Sequence, residues 1–519
     1  MGILKSYARH LFSINARKIK RYFPNNLILF SYFDKVPPMR RTKILATLGP
    51  STDKDGVLED LFRAGIDVVR LNFSHGSAED HIKRATQVRE MSKKTGRRVG
   101  ILADLQGPKI RIARFKDKKV FLNEGQTFAL DLRLGENDGD SHQVGFIYEP
   151  LAEEVVVGSR LLLDDGRIVL DVAGINQGRI SCVVVVGGDL SNNKGINLLG
   201  GGLSAAALTD KDKEDIKTIG LIDCDFVAIS FPRCAQDLHE ARRLLAEEGC
   251  YAGIVAKVER AEAVENDAVM DEIILASDVV MVARGDLGVE IGDAKLPAIQ
   301  KKLIKRTREL DRVVITATQM MESMIENAIP TRAEVFDVAN AVYDGTDAIM
   351  LSAETASGKH PLKAVEAMHR ICLEAEKQKI VTTSNHRVNR QFNRVEEAIA
   401  MSAMYMANHT QIRGIAALTE SGTTPLLMSR ISSGIPIFAL SSQEKTLGKA
   451  TLYRGVTPIY FSHEAQNHVE VNRDIIAQLR RYDFAKEGDQ FIITKGDLIG
   501  AKGGTNDLKV VTVGHELTP

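Results

Sequence analysis

From residue 42 onward, short β-branched runs recur, each followed by a stretch whose apolar positions repeat at helical spacing. The runs fall at 42–49, 67–74, 98–105, 225–232, 251–259, 278–287, 313–320 and 348–355. Strands alternating with helices imply parallel pairing, and eight such units predict a closed (β/α)8 TIM barrel rather than an open sheet. The rhythm breaks once, between the third and fourth runs. Residues 110–208 carry short strand-like runs such as Val120–Leu122, Thr127–Leu132, Arg160–Leu163, Arg167–Val172 and Ile180–Val186, with the hairpin signal Asp165-Gly166 between two of them. This reads as a small all-β lid domain inserted after the third strand, and therefore at the barrel's C-terminal mouth.

Beyond the eighth unit, polar residues 380–394 read as a linker into a second α/β pattern with strands near 413–419, 435–440, 456–461, 489–495 and 508–514. The expected domains are a barrel over 39–109 and 209–380, a lid over 110–208, and an open-sheet α/β domain over 381–519. Residues 1–38 stand apart, with seven basic residues, one acid and many apolar side chains. A transit peptide and an amphipathic arm are alternatives; the simplest reading is a disordered extension or start-site artefact, since Met39 directly precedes the first strand.

Composition narrows the function classes. The 68 basic residues balance 68 acidic ones, so no nucleic-acid partner is predicted. Apolar runs are too short for a membrane span. Five scattered cysteines without C-x-x-C spacing suggest neither a disulfide framework nor a zinc site, which fits a cytoplasmic location.

Barrel enzymes collect their chemistry at the strand C-termini. Here those ends are polar: Gly49-Pro50; Arg70 through Asn72, Ser74, His75 and Gly76; Asp104; Ser230; Lys257 and Glu259; Ala283-Arg284-Gly285-Asp286; Thr318-Gln319; Ser352 and Glu354. So many inward polar groups are expensive as structure alone. Glu259 and Asp286, on adjacent strands, are hard oxygen ligands suited to Mg²⁺ with positions left for substrate. Arg70 offers a planar fork for phosphate or carboxylate, and Lys257 a point charge for a phosphoryl in flight. Taken alone, Lys257 and Glu259 are equally an ion pair. In the C-terminal domain, Thr419-Glu420-Ser421-Gly422-Thr423-Thr424 opens a helix with small hydroxyl residues, as a phosphate nest or as a plain N-cap.

Thr47-Leu48-Gly49-Pro50, Arg70 to Gly76, Met281 to Gly288, Ala317 to Met320 and Met350 to Thr355 resemble the signatures of pyruvate kinases, in matching order over 39–519. Asp104 to Lys109 and Ser191 to Gly195 look most like the bacterial type activated by AMP or sugar monophosphates. The resemblance implies transfer of the phosphoryl group of phosphoenolpyruvate to ADP, with two Mg²⁺ ions, one brought by the nucleotide, and a homotetramer. It implies Mg²⁺ on Glu259 and Asp286, and phosphoenolpyruvate held by Arg70, Asp286, Thr318 and the backbone of Ala283, Arg284 and Gly285. Lys257 would stabilise the transferring group, and Thr318 with Ser352 would deliver the proton. ADP would lie at Pro50, Asn72, His75, Arg111 and Lys194, and the effector at Thr419, Ser421, Gly422, Thr423 and Thr424, with Lys502 to Asn506 as a second wall.

One departure stands out. Many family members hold K⁺ among oxygens matching Asn72, Ser74 and Asp104, with a glutamate where this chain has Lys109 and a threonine where it has Leu105. An ammonium is itself a compact cation, so Lys109 is expected to substitute for K⁺, which would then not be required. Glu420 in the effector loop disfavours a doubly phosphorylated sugar and points to AMP or a sugar monophosphate. Two other readings remain open at this level: a Mg²⁺-dependent lyase acting on pyruvate enolates, and an inactive phosphometabolite sensor.

Overall fold

The computed structural model describes residues 39–383, 391–463, 468–497 and 503–515. The expectation for 1–38 and the proposed wall residue Lys502 lie outside them. Eight parallel strands close into a barrel: β1 (Lys43–Thr47), β2 (Val68–Asn72), β3 (Gly100–Asp104), β4 (Phe226–Ile229), β5 (Gly253–Val258), β6 (Val279–Ala283), β7 (Val313–Ala317) and β8 (Ala348–Leu351), with β8 pairing back onto β1. β1, β3, β4, β6, β7 and β8 are buried at every position, which is why their sequences run apolar instead of alternating. Helix starts are fixed by capping boxes at Ser77, Thr209 and Thr331, each reciprocated by an acid three residues on.

The insertion leaves β3 and returns before β4 as two sheets, antiparallel except where Thr127–Asp131 pairs in parallel with Gln143–Val144. Lys119–Leu122 pairs with Gly188–Ser191, and six further strands form a sheet. Within it Arg179–Val186 buries alternate side chains over most of its length, as a one-sided sheet should. The Asp165-Gly166 turn joins Arg160–Leu163 to Ile168–Asn176, with both residues in the left-handed region. Leu122, Phe128, Leu161, Leu170 and Ile180 give this domain its own core.

The C-terminal domain carries five strands, β9 (Gly414–Leu418), β10 (Ile437–Ser441), β11 (Val456–Tyr460), β12 (Gln490–Gly496) and β13 (Thr505–Thr512), in the order β11-β10-β9-β12-β13. β13 runs antiparallel at the edge. Its apolar core is continuous with barrel residues: Leu45, Val68, Leu102 and Phe226 belong to the same buried cluster as Met428, Leu452 and Tyr453. Between the two domains Arg430 and Asp347 form an ion pair at 0% and 1% exposure. All five cysteines are free thiols. Among the described residues no helix is long and apolar enough to cross a membrane.

Candidate active site

At the C-terminal ends of β2, β3 and β5, parallel registry brings three charged side chains together. Asn72 on β2 is level with Asp104 on β3, and Arg70 lies two residues back on β2. The Arg70 Nε donates to Asp104 Oδ2 at 2.6 Å, and its Nη1 to the Thr47 hydroxyl at 3.2 Å. The Lys257 ammonium donates to the Ser230 hydroxyl at 2.6 Å and lies 3.0 Å from Glu259 Oε1 and 3.4 Å from Asp104 Oδ1. Asp104 Oδ1 is buried and has no aligned hydrogen bond. Burial opposes the charge on Asp104, but Lys257 and then Arg70 outweigh it and hold the carboxyl below its ordinary range. Lys257 is shifted up on the same balance: burial lowers it, and Asp104 and Glu259 more than restore it.

Glu259 lies just past β5, 2% exposed, and accepts from the Phe231 amide at 2.9 Å. Burial pushes its carboxyl up to about 7; Lys257 opposes the rise, while the charges of Asp286 and Asp104 add to it. Asp286 opens the helix Arg284–Ile291 that follows β6. A carboxyl kept from full ionisation by burial and by like charges, beside a second carboxylate and an under-bonded oxygen on Asp104, suits a hard divalent cation. Among the described residues no three His, Cys, Asp or Glu side chains form a metal cluster.

Strain marks the same rim. Phe231, Thr318 and Gln319, none of them glycine, all occupy the left-handed region, at φ 55°, 66° and 54°. The Thr318 hydroxyl donates to the Ala317 carbonyl at 2.6 Å and accepts from the Gly285 amide at 2.9 Å, so it sits against the loop carrying Asp286. The Arg284 side chain turns away: it pairs with Asp337 at 2.7 Å and donates to the Thr318 carbonyl at 2.6 Å. This leaves only its backbone for a ligand. Ser352 is held by its amide, which donates to Glu354 Oε2 at 2.7 Å, and Glu354 also takes the Met321 amide, tying the ends of β7 and β8 together.

The residues expected at the nucleotide are split between the barrel wall and the lid. Pro50 and His75 are exposed on the wall, and the Asn72 side chain accepts from the Ser74 amide at 3.2 Å. Arg111 and Lys194 belong to the lid, where Arg111 bridges Gly195 and donates to the Asn193 carbonyl at 2.8 Å, while Lys194 pairs with Asp164 at 2.6 Å. Lys109 points into the mouth. Its ammonium lies 3.8 Å from Asp286 Oδ1, while Asp104 is engaged by Arg70 and Lys257. Gly107, at φ 68°, lets the preceding loop lie against Ser230, where a Cβ would meet the Ser230 side chain at 2.6 Å.

Several supporting residues escaped the sequence reading. Ser230 and Thr47 stood at strand ends but only register shows that they hold Lys257 and Arg70. Arg260, Glu262 and Glu290 fasten the chain where it returns from the lid. Arg260 donates to the Leu203 and Ala205 carbonyls, Glu262 accepts from the Gly202 amide, and the Gly200 amide donates to the Glu290 carbonyl at 2.8 Å. The Glu290 carboxylate accepts from the Ala261 amide at 2.8 Å, two residues beyond Glu259. No local pattern announces these contacts.

Cationic and carboxylate side chains gathered at the C-terminal mouth of a closed parallel barrel define a barrel enzyme acting on an anionic substrate. Residues 39–365 match the family described as pyruvate kinase, barrel domain, and 397–511 match pyruvate kinase, alpha/beta domain. Pyruvate kinase II of Salmonella typhimurium is 59% identical over 476 residues, covering 92% of this chain and 99% of that protein. Pyruvate kinase of Haemophilus influenzae is 57% identical over 460 residues, 88% of this chain and 96% of that one. The chain belongs to the pyruvate kinase family. It transfers the phosphoryl group of phosphoenolpyruvate to ADP, giving pyruvate and ATP, and the family generally uses Mg²⁺. The lyase and sensor readings are not favoured.

Proposed function

We propose that Lys257, Arg70, Thr318 and Ser352 carry the chemistry, and that Glu259 and Asp286 hold the Mg²⁺ bound with phosphoenolpyruvate. The carrying observation is the Lys257 ammonium fixed by Ser230, Glu259 and Asp104 with Arg70 alongside. A β-phosphate oxygen of ADP attacks phosphorus, the bond to the enolate oxygen breaks, and the enolate carbon then takes a proton to become the methyl of pyruvate. Arg70 grips the phosphate, and Lys257 offsets charge on the phosphoryl group as it moves. When bound, Mg²⁺ supplies charge neutralisation at substrate oxygens. The Thr318 hydroxyl, which accepts from the Gly285 amide, and Ser352 lie on the proton's path. Amides of Ala283, Arg284 and Gly285 receive the substrate carboxylate. Pro50, Asn72, His75, Arg111 and Lys194 receive ADP and its own Mg²⁺, and the split of this set between barrel and lid supports closure of the lid over the nucleotide.

Lys109 supplies the monovalent charge that K⁺ brings elsewhere. Its place 3.8 Å from Asp286, at 30% side-chain exposure, supports a cation held in the mouth. The effector is AMP or a sugar monophosphate at 419–424. In that loop the Gly422 amide donates to the Thr419 hydroxyl, and the Ser421 and Thr423 hydroxyls meet at 2.9 Å. The Thr424 hydroxyl lies 2.9 Å from that of Thr505, which supports 503–506 as a second wall. The enzyme works as a cytoplasmic homotetramer.

The test is ATP formation from phosphoenolpyruvate and ADP with Mg²⁺ in K⁺-free buffer, with and without AMP. Full turnover without K⁺, acquired K⁺ dependence in Lys109→Glu, and stronger activation by AMP or ribose 5-phosphate than by fructose 1,6-bisphosphate are expected. A Lys109→Glu enzyme that stays K⁺-independent overturns the role of Lys109, and a dominant bisphosphate overturns the effector class.

A further inference from the structure

At the opposite end of the barrel, where β4 and β5 begin, Cys224 and Cys250 stand side by side. β4 and β5 pair in parallel with Phe226 level with Gly253, so the segments just before them run as neighbours about 5 Å apart. That spacing lies within the range a disulfide spans. Both thiols line one small cavity of about 50 Å³, room for a molecule of water or peroxide size. Cations from the C-terminal domain face it. Lys445 and Lys449 line the cavity, and Lys445 also lies 5.1 Å over the ring of Tyr251. Asp223 and Asp225 bring opposing charge, but Asp225 is already engaged by Arg89 at 3.0 Å and Arg98 at 3.3 Å.

The two thiols differ in reactivity. The neighbouring Cys224 thiol lowers Cys250 against the opposing effect of burial, helped by the Ala252 amide and Lys445, while Cys250 and burial push Cys224 up. Cys182 and Cys372 are both raised to about 12, chiefly by burial, and have no such partner thiol. Lys445, over the ring of the adjacent Tyr251, favours the thiolate at Cys250, and Cys224 stands beside it.

We infer that Cys224 and Cys250 form a reversible oxidation site, in which a small hydroperoxide converts the pair to an internal disulfide. The Cys250 thiolate attacks one peroxide oxygen, the O–O bond breaks, and the departing hydroxide takes up a proton, leaving Cys250 as a sulfenic acid. The Cys224 sulfur, giving up its proton, attacks the Cys250 sulfur; the S–O bond breaks and water leaves. The two thiols lose two electrons and two protons, and the peroxide becomes two waters. Cys250 acts as the attacking thiol and Cys224 as the resolving one.

The test treats the whole enzyme with hydrogen peroxide, blocks remaining thiols, and maps the peptides by mass spectrometry. The expected result is a Cys224–Cys250 linked peptide as the first product, loss of two of the five thiols, and full reversal by dithiothreitol. In Cys224→Ser the sulfenic acid persists at Cys250 and is captured by dimedone; in Cys250→Ser, Cys224 stays reduced at the same dose. Cys234→Ser controls for the partly exposed thiol at 234 and leaves the linked peptide unchanged. Oxidation first at Cys234, direct passage of Cys250 to sulfinic acid in the wild-type chain, or equal reactivity of Cys224 in Cys250→Ser overturns the assignment.

Discussion

Two buried charge clusters in this molecule look alike by burial and differ in how completely they are bonded. Where the barrel meets the C-terminal domain, Asp347 accepts from Arg430 through both oxygens, from the Val314 amide at 2.9 Å and from the Arg454 amide at 3.3 Å. Arg430 adds the Arg312 carbonyl and the Ser429 hydroxyl. Glu376 is similarly filled, taking the Thr42 amide and hydroxyl at 2.6 and 2.7 Å. At the mouth, Asp104 keeps one oxygen without an aligned donor, Glu259 is raised to about 7, and three non-glycine residues sit at positive φ. The Arg430–Asp347 pair is fully bonded without a ligand, although Arg454 beside it keeps a buried Nη2 without a partner; the Asp104 cluster at the mouth is not. A saturated pair serves the fold, and an under-bonded one is arranged for something that arrives.

The comparison can be broken from either side. Arg430→Met strips the partner from a fully buried Asp347 and should destabilise the protein by about 3–5 kcal/mol in chemical denaturation, with turnover per folded molecule unchanged. A loss under about 1 kcal/mol would mean the junction is not a finished structural pair. Gln319→Gly acts in the reverse sense. Relief of a left-handed non-glycine backbone should add about 1 kcal/mol of stability. It should also lower turnover severalfold, because Thr318 loses its fixed direction; unchanged turnover would detach that strain from catalysis.

The smallest effect is a pH dependence at the lid's return. Burial raises Glu290 to about 7, despite the Ala261 amide. Its folded-state value exceeds the unfolded one, so its stabilising contribution is complete below about pH 4.5 and is lost as pH rises through about 7. Glu290→Gln should therefore flatten the fall in melting temperature across that window. An identical slope in both proteins would show that Glu290 does not titrate there.

The fold was legible because each barrel strand is an apolar run bounded by turns, and all eight runs coincide with observed strands to within a few residues. The strand-end chemistry was legible for the same reason, since the C-terminal residue of a barrel strand faces the mouth. Partner choice was not. Asp104 was read as part of a K⁺ pocket, yet it is also the counter-ion of Arg70 and Lys257, a pairing set by register between β2, β3 and β5. The sequence places Lys109 toward Asn72, Ser74 and Asp104, and its nearest carboxylate is that of Asp286, reached across the loop that Gly107 makes compact. The clamp of Arg260, Glu262 and Glu290 reaches the segment at 200–205 across 55 to 90 positions, and no spacing in the chain announces it.

The most direct measurement is turnover and melting temperature together on Lys257→Met. The account predicts a fall in kcat of about a thousandfold or more, roughly 4 kcal/mol of lost transition-state stabilisation, with a single cooperative melt retained. A variant that turns over within about tenfold of the wild type would contradict it, and a loss of stability without that loss of turnover would make the lysine a structural ion pair like the one at Arg430.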